Sequence, residues 1–151
     1  MTPRRVAPAA AFSRALPSRP EAADAVCLEL RAFLQATVRA AEAFAVELLA
    51  REALNNAILH GNQNQPDKTA RLEFHLGRRW LRLQVTDEGP GFNWRAARRS
   101  VPEDDTTSGR GLAISAIYAH RIAFNRRGNQ ITFWLENRSS ATEQSHGNLH
   151  A

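Results

Sequence analysis

One cysteine, one lysine, one methionine and one tyrosine are all that this 151-residue chain holds of those residue types. A lone cysteine closes no internal disulfide, so the fold must rest on its core, and the thiol suits a reducing compartment. Cys27 sits among apolar helix residues and reads as a small core residue, not a nucleophile. Long hydrophobic runs are missing as well: no stretch nears the roughly 18 apolar residues of a membrane span. The Ala/Pro stretch after Arg4 and Arg5 is too weakly apolar for a secretory signal. The expectation is a cytoplasmic protein without a membrane partner. Because lysine is nearly absent, the net charge of +5 and the pI of about 10.9 rest on arginine. The arginines are scattered, with Arg98 and Arg99 in one loop and Arg126 and Arg127 at one turn, and they form no dense stripe interleaved with aromatics. That pattern favours acidic partners, such as an acidic protein surface or a polyphosphate, over direct nucleic-acid binding.

What is present is organised around a helix-sized stretch, residues 44–60, closed by Gly61. It is rich in Ala, Leu and Glu, holds no Pro, and ends on a residue suited to a left-handed C-cap. At roughly 100° per residue, Ala45, Leu48, Leu49 and Leu59 share an arc that also contains Glu52 and Asn56. Phe44, Leu54 and Ile58 cover most of the other side, so both flanks read as buried. A carboxylate and an amide among apolar neighbours need partners, supplied either by nearby backbone or by a ligand.

Along the chain, residues 1–10 read as a disordered tail, 11–137 as one folded domain and 138–151 as a second disordered tail. Residues 12–16 form a candidate edge strand. Ser18 reads as the N-cap of a first helix, with Glu21 three residues on. Val26, Leu30, Phe33 and Leu34 give that helix one core face. A break over residues 35–39 precedes the central helix. Beyond the polar loop 62–68 the period changes to two. Leu72, Phe74 and Leu76, then Leu81, Leu83 and Val85, alternate with polar residues around a Gly77-Arg78 turn, which predicts an antiparallel pair. A Gly/Pro loop covers 87–92 and a charged, polar stretch 93–108. Gly109-Arg110-Gly111 opens a helix carrying Leu112, Ile114, Ile117 and Tyr118. Residues 121–125, a Gly128-Asn129 turn and residues 130–136, with Ile131, Phe133 and Leu135 on one side, close the domain. The order strand, helix, helix, strand, strand, helix, strand, strand predicts an α+β two-layer sandwich, a mainly antiparallel sheet covered on one face by helices.

Three segments resist a purely structural account. They are Glu52 with Asn55 and Asn56, then Asp87-Glu88-Gly89-Pro90-Gly91-Phe92 after a strand, and Gly109-Arg110-Gly111-Leu112 before a helix. Each alone is ordinary, since Asp before Gly and Gly-x-Gly are common turn chemistry. Together they suit a nucleotide. Glycines beside a helix N-terminus let backbone N–H groups and the positive end of the helix approach phosphates. An oxygen donor such as Asn56 completes the coordination of a Mg²⁺ that also holds phosphates. Glu52, one turn away, can accept a proton from a hydroxyl or water. Asp87, at a strand end, can accept a hydrogen bond from an exocyclic amine.

The order Glu52-x-x-Asn55-Asn56-Ala57, Asp87-x-Gly89-x-Gly91-Phe92 and Gly109-x-Gly111-Leu112 resembles the N, G1 and G2 boxes of the ATPase superfamily shared by gyrase, histidine kinases and MutL. Within it, the run from Arg51 to Asn62 and the short chain resemble the anti-sigma-factor serine/threonine kinases of bacterial partner-switching systems. The resemblance covers residues 10–137 and implies a Bergerat-type ATP-binding fold. It implies Glu52 as general base, Asn56 as Mg²⁺ ligand with Asn55 beside it, and Asp87 as reader of the adenine amino group. Gly89 and Gly91 would shape the adenine side, with Phe92 next to them. Residues 95–108 would be the ATP lid, ending at Thr107 and Ser108, and Gly109, Arg110, Gly111 and Leu112 would lie against the phosphates. The resemblance further implies a homodimer that uses ATP and Mg²⁺ to phosphorylate an anti-anti-sigma partner of the STAS type and that binds a sigma factor. A histidine kinase would need a phosphoacceptor His upstream, and no His precedes His60. The alternative is a nucleotide-gated binding module that sequesters a partner without catalysis, for which Glu52 has no evident use.

Overall fold

Apolar residues at every second position lay down the sheet of the computed structural model, which describes residues 11–91, 115 and 117–138. The strands are β1 (Ala11–Pro17), β2 (Thr69–Leu76), β3 (Trp80–Thr86), β4 (Arg121–Phe124) and β5 (Gln130–Glu136). They lie in the order β1-β2-β3-β5-β4, every neighbour antiparallel. The register places Phe12, Phe74, Leu83, Phe133 and Ile122 in one row across all five strands. Leu72, Val85 and Ile131 form a second row, and Leu76, Leu81 and Leu135 a third. A one-residue slip would turn every one of these side chains to water, so the pattern fixes the register.

The helices α1 (Pro20–Thr37) and α2 (Ala40–Asn56) cover one face of this sheet. From α1, Val26, Cys27, Leu30 and Leu34 are buried. Phe33 meets Phe12 and Phe74 with ring centroids 5.7 and 6.0 Å apart. Burial pushes the Cys27 thiol up, so it remains a protonated core group as its neighbours suggested. The Arg31 guanidinium forks onto the Glu47 carboxylate at 2.5–3.1 Å and holds that carboxyl below its ordinary range. Arg51 reaches Asp24 at 2.9 Å, and Arg14 ties β1 to Glu29 of α1 at 2.6 Å. Such exposed pairs each add at most about 1 kcal/mol. They also occupy arginines that composition alone leaves free for acidic partners.

The α+β sandwich is the one the element order predicts, and four local readings change. Ser18 does not cap α1: Arg19 occupies the cap position without a side-chain bond, Pro20 opens the helix, and the Ser18 hydroxyl bonds elsewhere. The buried face of α2 is carried by Ala45, Val46, Leu49, Ala50, Ala53 and Leu54. Phe44 is 60% and Leu59 48% exposed, so the helix is not buried on both flanks. The small residues Ala50, Ala53 and Ala57 let the helix sit close on the sheet, and they turn Glu52 and Asn56 away from the core. Finally, Gly61 is not left-handed; among non-glycine residues Gln63 and Asn64, with φ of 52° and 56°, take that conformation. Ser115, Ile117 and Tyr118 are helical as expected, but the opening of that helix at Gly109 lies outside the described residues. So do residues 92–108 and 1–10, and all but Arg138 of the C-terminal tail. Among the described residues no helix is long and apolar enough to cross a membrane.

Candidate functional site

At its C-terminal end α2 widens into a single π-helical turn, Ala57–Gly61, in which the Asn62 N–H bonds to the Ala57 carbonyl at 2.7 Å. Such turns recur at functional sites because they redirect the chain without ending the helix. Here the turn lays Gly61 against Asp87, the first residue after β3. A Cβ on Gly61 would stand 2.3 Å from Asp87 Oδ2, so only glycine leaves room for the carboxylate. A Cβ on Gly89 would stand 2.1 Å from the Gly61 carbonyl oxygen. Gly91 has φ of +80°, and its Cβ would meet the Arg127 carbonyl at 1.9 Å. Gly61 and Gly89 thus wall a notch around one carboxylate, while Gly91 packs on the Arg127 backbone. Gly89→Ala drives a methyl group into backbone that cannot swing aside. The expected result is a loss of about 1–3 kcal/mol, read as a lower urea midpoint at unchanged slope.

Asp87 itself is half-buried. Its Oδ1 accepts from the Gly89 N–H at 2.8 Å, and among the described residues no donor reaches Oδ2. Burial pushes its carboxyl above the ordinary range; the Gly89 N–H, Arg127 and Lys68 pull the other way without cancelling that. The ionised form is therefore less favoured in the folded chain than in the unfolded one. A ligand that needs the carboxylate loses affinity as pH falls through the raised pKa, which lies above the roughly 3.9 of a free aspartate. Calorimetric titration with ATP as the pH is lowered from neutral is expected to show a steeper weakening in the wild type than in Asp87→Asn, the difference reporting the carboxylate because protonation of the ATP phosphates is common to both.

Glu52, Asn55 and Asn56 lie on the last turns of α2, within about 14 Å of Gly61 along the helix axis. Glu52 is half-buried and both asparagines are exposed. None of the three side chains makes a hydrogen bond or ion pair with another described residue, so backbone does not supply their partners. Phe92, Thr107, Ser108, Gly109, Arg110, Gly111 and Leu112 lie outside the described residues. The structure thus brings together the end of α2 with Asp87 and Gly89, through Gly61, and sets Gly91 against Arg127. Among the described residues no group of three His, Cys, Asp or Glu side chains is placed to hold a metal ion. A Mg²⁺ shared with phosphates needs only one or two protein oxygens, and the exposed, unpartnered Asn56 amide fits that demand.

Sequence reasoning missed the residues that hold the notch together. Asn62 is fully buried; its Oδ1 accepts from the Glu88 N–H and its Nδ2 donates to Ser18 Oγ, both at 2.8 Å. Ser18 Oγ donates in turn to the Lys68 carbonyl at 2.7 Å. On the other side, Asn129 Nδ2 donates to the Asp87 carbonyl at 2.8 Å, and its own carbonyl accepts from the Asp87 N–H at 2.9 Å. Asn125 Oδ1 gathers the N–H groups of Gly128 and Asn129 and so shapes that turn. The only sequence signal was an unusual supply of asparagine after α2 and around the β4–β5 turn. A cleft of about 300 Å³, lined by Glu42, Ala45, Tyr118, His120 and Leu135, lies near the start of α2. It is separated from Asn56 by most of that helix and is not part of this site.

Comparison with protein families matches residues 16–135, from the end of β1 to the end of β5, to the histidine kinase-like ATPase domain. No curated protein matches the chain.

Proposed function

The chain belongs to the histidine kinase-like ATPase family, and from that premise we propose that it is an ATP-dependent serine/threonine-protein kinase that also acts as an anti-sigma factor. The observation that carries the kinase reading is Glu52. Among the described residues its carboxylate has no partner, nor has the Asn56 amide one turn on, and both lie on the helix whose end forms the Asp87 notch. A module that only bound nucleotide would have no use for it. The anti-sigma reading is supported by the run from Arg51 to Asn62.

In this reading Asp87 Oδ2, which no described donor reaches, accepts a hydrogen bond from the exocyclic amine of adenine, with Gly89, Gly91 and Phe92 against the ring. Asn56, with Asn55 beside it, would hold a Mg²⁺, which when bound offsets the charge of the phosphates. Thr107, Ser108, Gly109, Arg110, Gly111 and Leu112 are assigned to the phosphate side. Glu52 takes the proton from a serine or threonine hydroxyl of a STAS-type anti-anti-sigma partner as that oxygen bonds to the γ-phosphorus and ADP departs. The unphosphorylated partner and a sigma factor would compete for a homodimer of the kinase in the cytoplasm.

The test is incubation with γ-labelled ATP, Mg²⁺ and STAS-domain proteins, followed by site mapping. Label on a serine or threonine of one of them supports the kinase reading. ATP binding without transfer or hydrolysis would leave the sequestration module as the function.

A further inference from the structure

The peptide plane between Asp87 and Glu88 is held at both ends by asparagine side chains. Its N–H, that of Glu88, donates to Asn62 Oδ1, and its carbonyl, that of Asp87, accepts from Asn129 Nδ2, each at 2.8 Å. The Asp87 N–H on the preceding plane is bound as well, to the Asn129 carbonyl at 2.9 Å. With both flanking planes fixed, the direction in which Asp87 projects its side chain is fixed too.

Neither asparagine is incidental. Asn62 is 0% exposed, and a buried amide left without partners costs several kcal/mol, so its two bonds explain its presence. It needs an acceptor for Glu88 and a donor for Ser18 Oγ, whose own hydrogen is committed to the Lys68 carbonyl. A neutral amide offers both, on two separate atoms of one short side chain. Asn129 is fixed by Asn125, whose Nδ2 donates to Asn129 Oδ1 at 2.6 Å. The two grips come from different parts of the chain, the π turn after α2 and the β4–β5 turn. Neither touches the open Oδ2.

We propose that Asn62 and Asn129 are positioning residues that aim Asp87 Oδ2 at the exocyclic amine of a purine, and so set a preference for adenine over purines that lack the amine. This rests on the reading of Asp87 as the adenine acceptor. A loosened plane lets the carboxylate rotate away, and the hydrogen bond that only the amine can make is lost. Contacts that any purine triphosphate makes with the rest of the site are unaffected.

Titration of the full chain with ATP and with inosine triphosphate, which carries a carbonyl in place of the amine, tests this. The wild type is expected to favour ATP by at least about tenfold. Asn62→Ala and Asn129→Ala are each expected to weaken ATP about tenfold and to leave inosine triphosphate within about twofold, so the preference collapses. Adding Asn62→Ala to Asp87→Asn is expected to cause no further loss, because the first acts through the second. Equal weakening of both nucleotides, with the preference retained, would overturn the proposal and leave the clamp a loop support. A wild type without preference would overturn the Asp87 reading itself, and the proposal with it. Urea denaturation checks each variant; if one does not fold, the other, acting from a separate turn, decides the outcome.

Discussion

Asp87→Asn is expected to lower ATP affinity roughly tenfold to hundredfold and to leave the protein at least as stable at neutral pH. The first half follows from the worth of a hydrogen bond to a charged acceptor, about 1.5–3 kcal/mol. The open Oδ2 is the atom that would receive the adenine amine, and an amide at 87 would have to present its carbonyl there while presenting no charge. The second half follows from the direction of the Asp87 pKa. Burial raises it, so at neutral pH, above both the folded and the unfolded value, the ionised group is a net burden on the unliganded fold. Removing the charge lifts that burden, and an amide oxygen still accepts the Gly89 N–H that now bonds Oδ1 at 2.8 Å. The attraction of Arg127 and Lys68 is lost as well, but it is the weaker influence. Isothermal calorimetry and urea denaturation read the two halves separately. Normal ATP binding would show that the adenine assignment is wrong. A large loss of stability would show that Asp87 serves the fold and not a ligand. A substitution that stabilises the fold while function falls marks a group kept for a ligand and not for the unliganded protein.

The sheet was legible because a period of two has one solution once one face must be buried. Leu72, Phe74, Leu81, Leu83, Val85 and Phe133 could face the core in only one register, and they do. The end of α2 was legible as chemistry for the opposite reason: Glu52 and Asn56 broke the apolar pattern of the stretch around them. Their environment was misread, because large residues such as Leu48 and Leu59 weighed more in the helical arc than Ala50, Ala53 and Ala57. Close packing on a sheet favours the small side chains, and that preference is a property of the interface, absent from any one helix. Gly61 was correctly singled out and wrongly explained. Its role is not a backbone angle but the approach of Asp87, 26 residues later, and no local rule sees that distance. Ser18 shows the same limit. Its spacing to Glu21 suits a capping box, yet Asn62 and the Lys68 carbonyl take the hydroxyl, because the Asn62 amide is fully buried and water cannot serve it.

Glu52→Ala is expected to bind ATP within a few-fold of wild type and to lose phosphoryl transfer by about 10²–10⁴-fold, the range a positioned general base supplies. The substitution is a clean probe because of where the side chain stands. Glu52 makes no hydrogen bond or ion pair with a described residue, and alanine is a stronger helix former, so stability should change by less than about 0.5 kcal/mol. A change in transfer then reports chemistry alone. Glu52→Gln sharpens the result: it keeps the length and the half-buried packing of the side chain but cannot take a proton. If the base role holds, alanine and glutamine variants fall together in single-turnover transfer to the partner hydroxyl. If glutamine retains the rate, Glu52 orients the acceptor through a hydrogen bond and does not deprotonate it. If both retain it, the carboxylate has no part in transfer. The terminal phosphate is then attacked without base assistance, which a loose transition state permits. In that case the unpartnered carboxylate at the end of α2 would have to be explained by partner binding instead. Affinity of the same variants for the unphosphorylated STAS-domain protein, measured without nucleotide, would then be the quantity that falls.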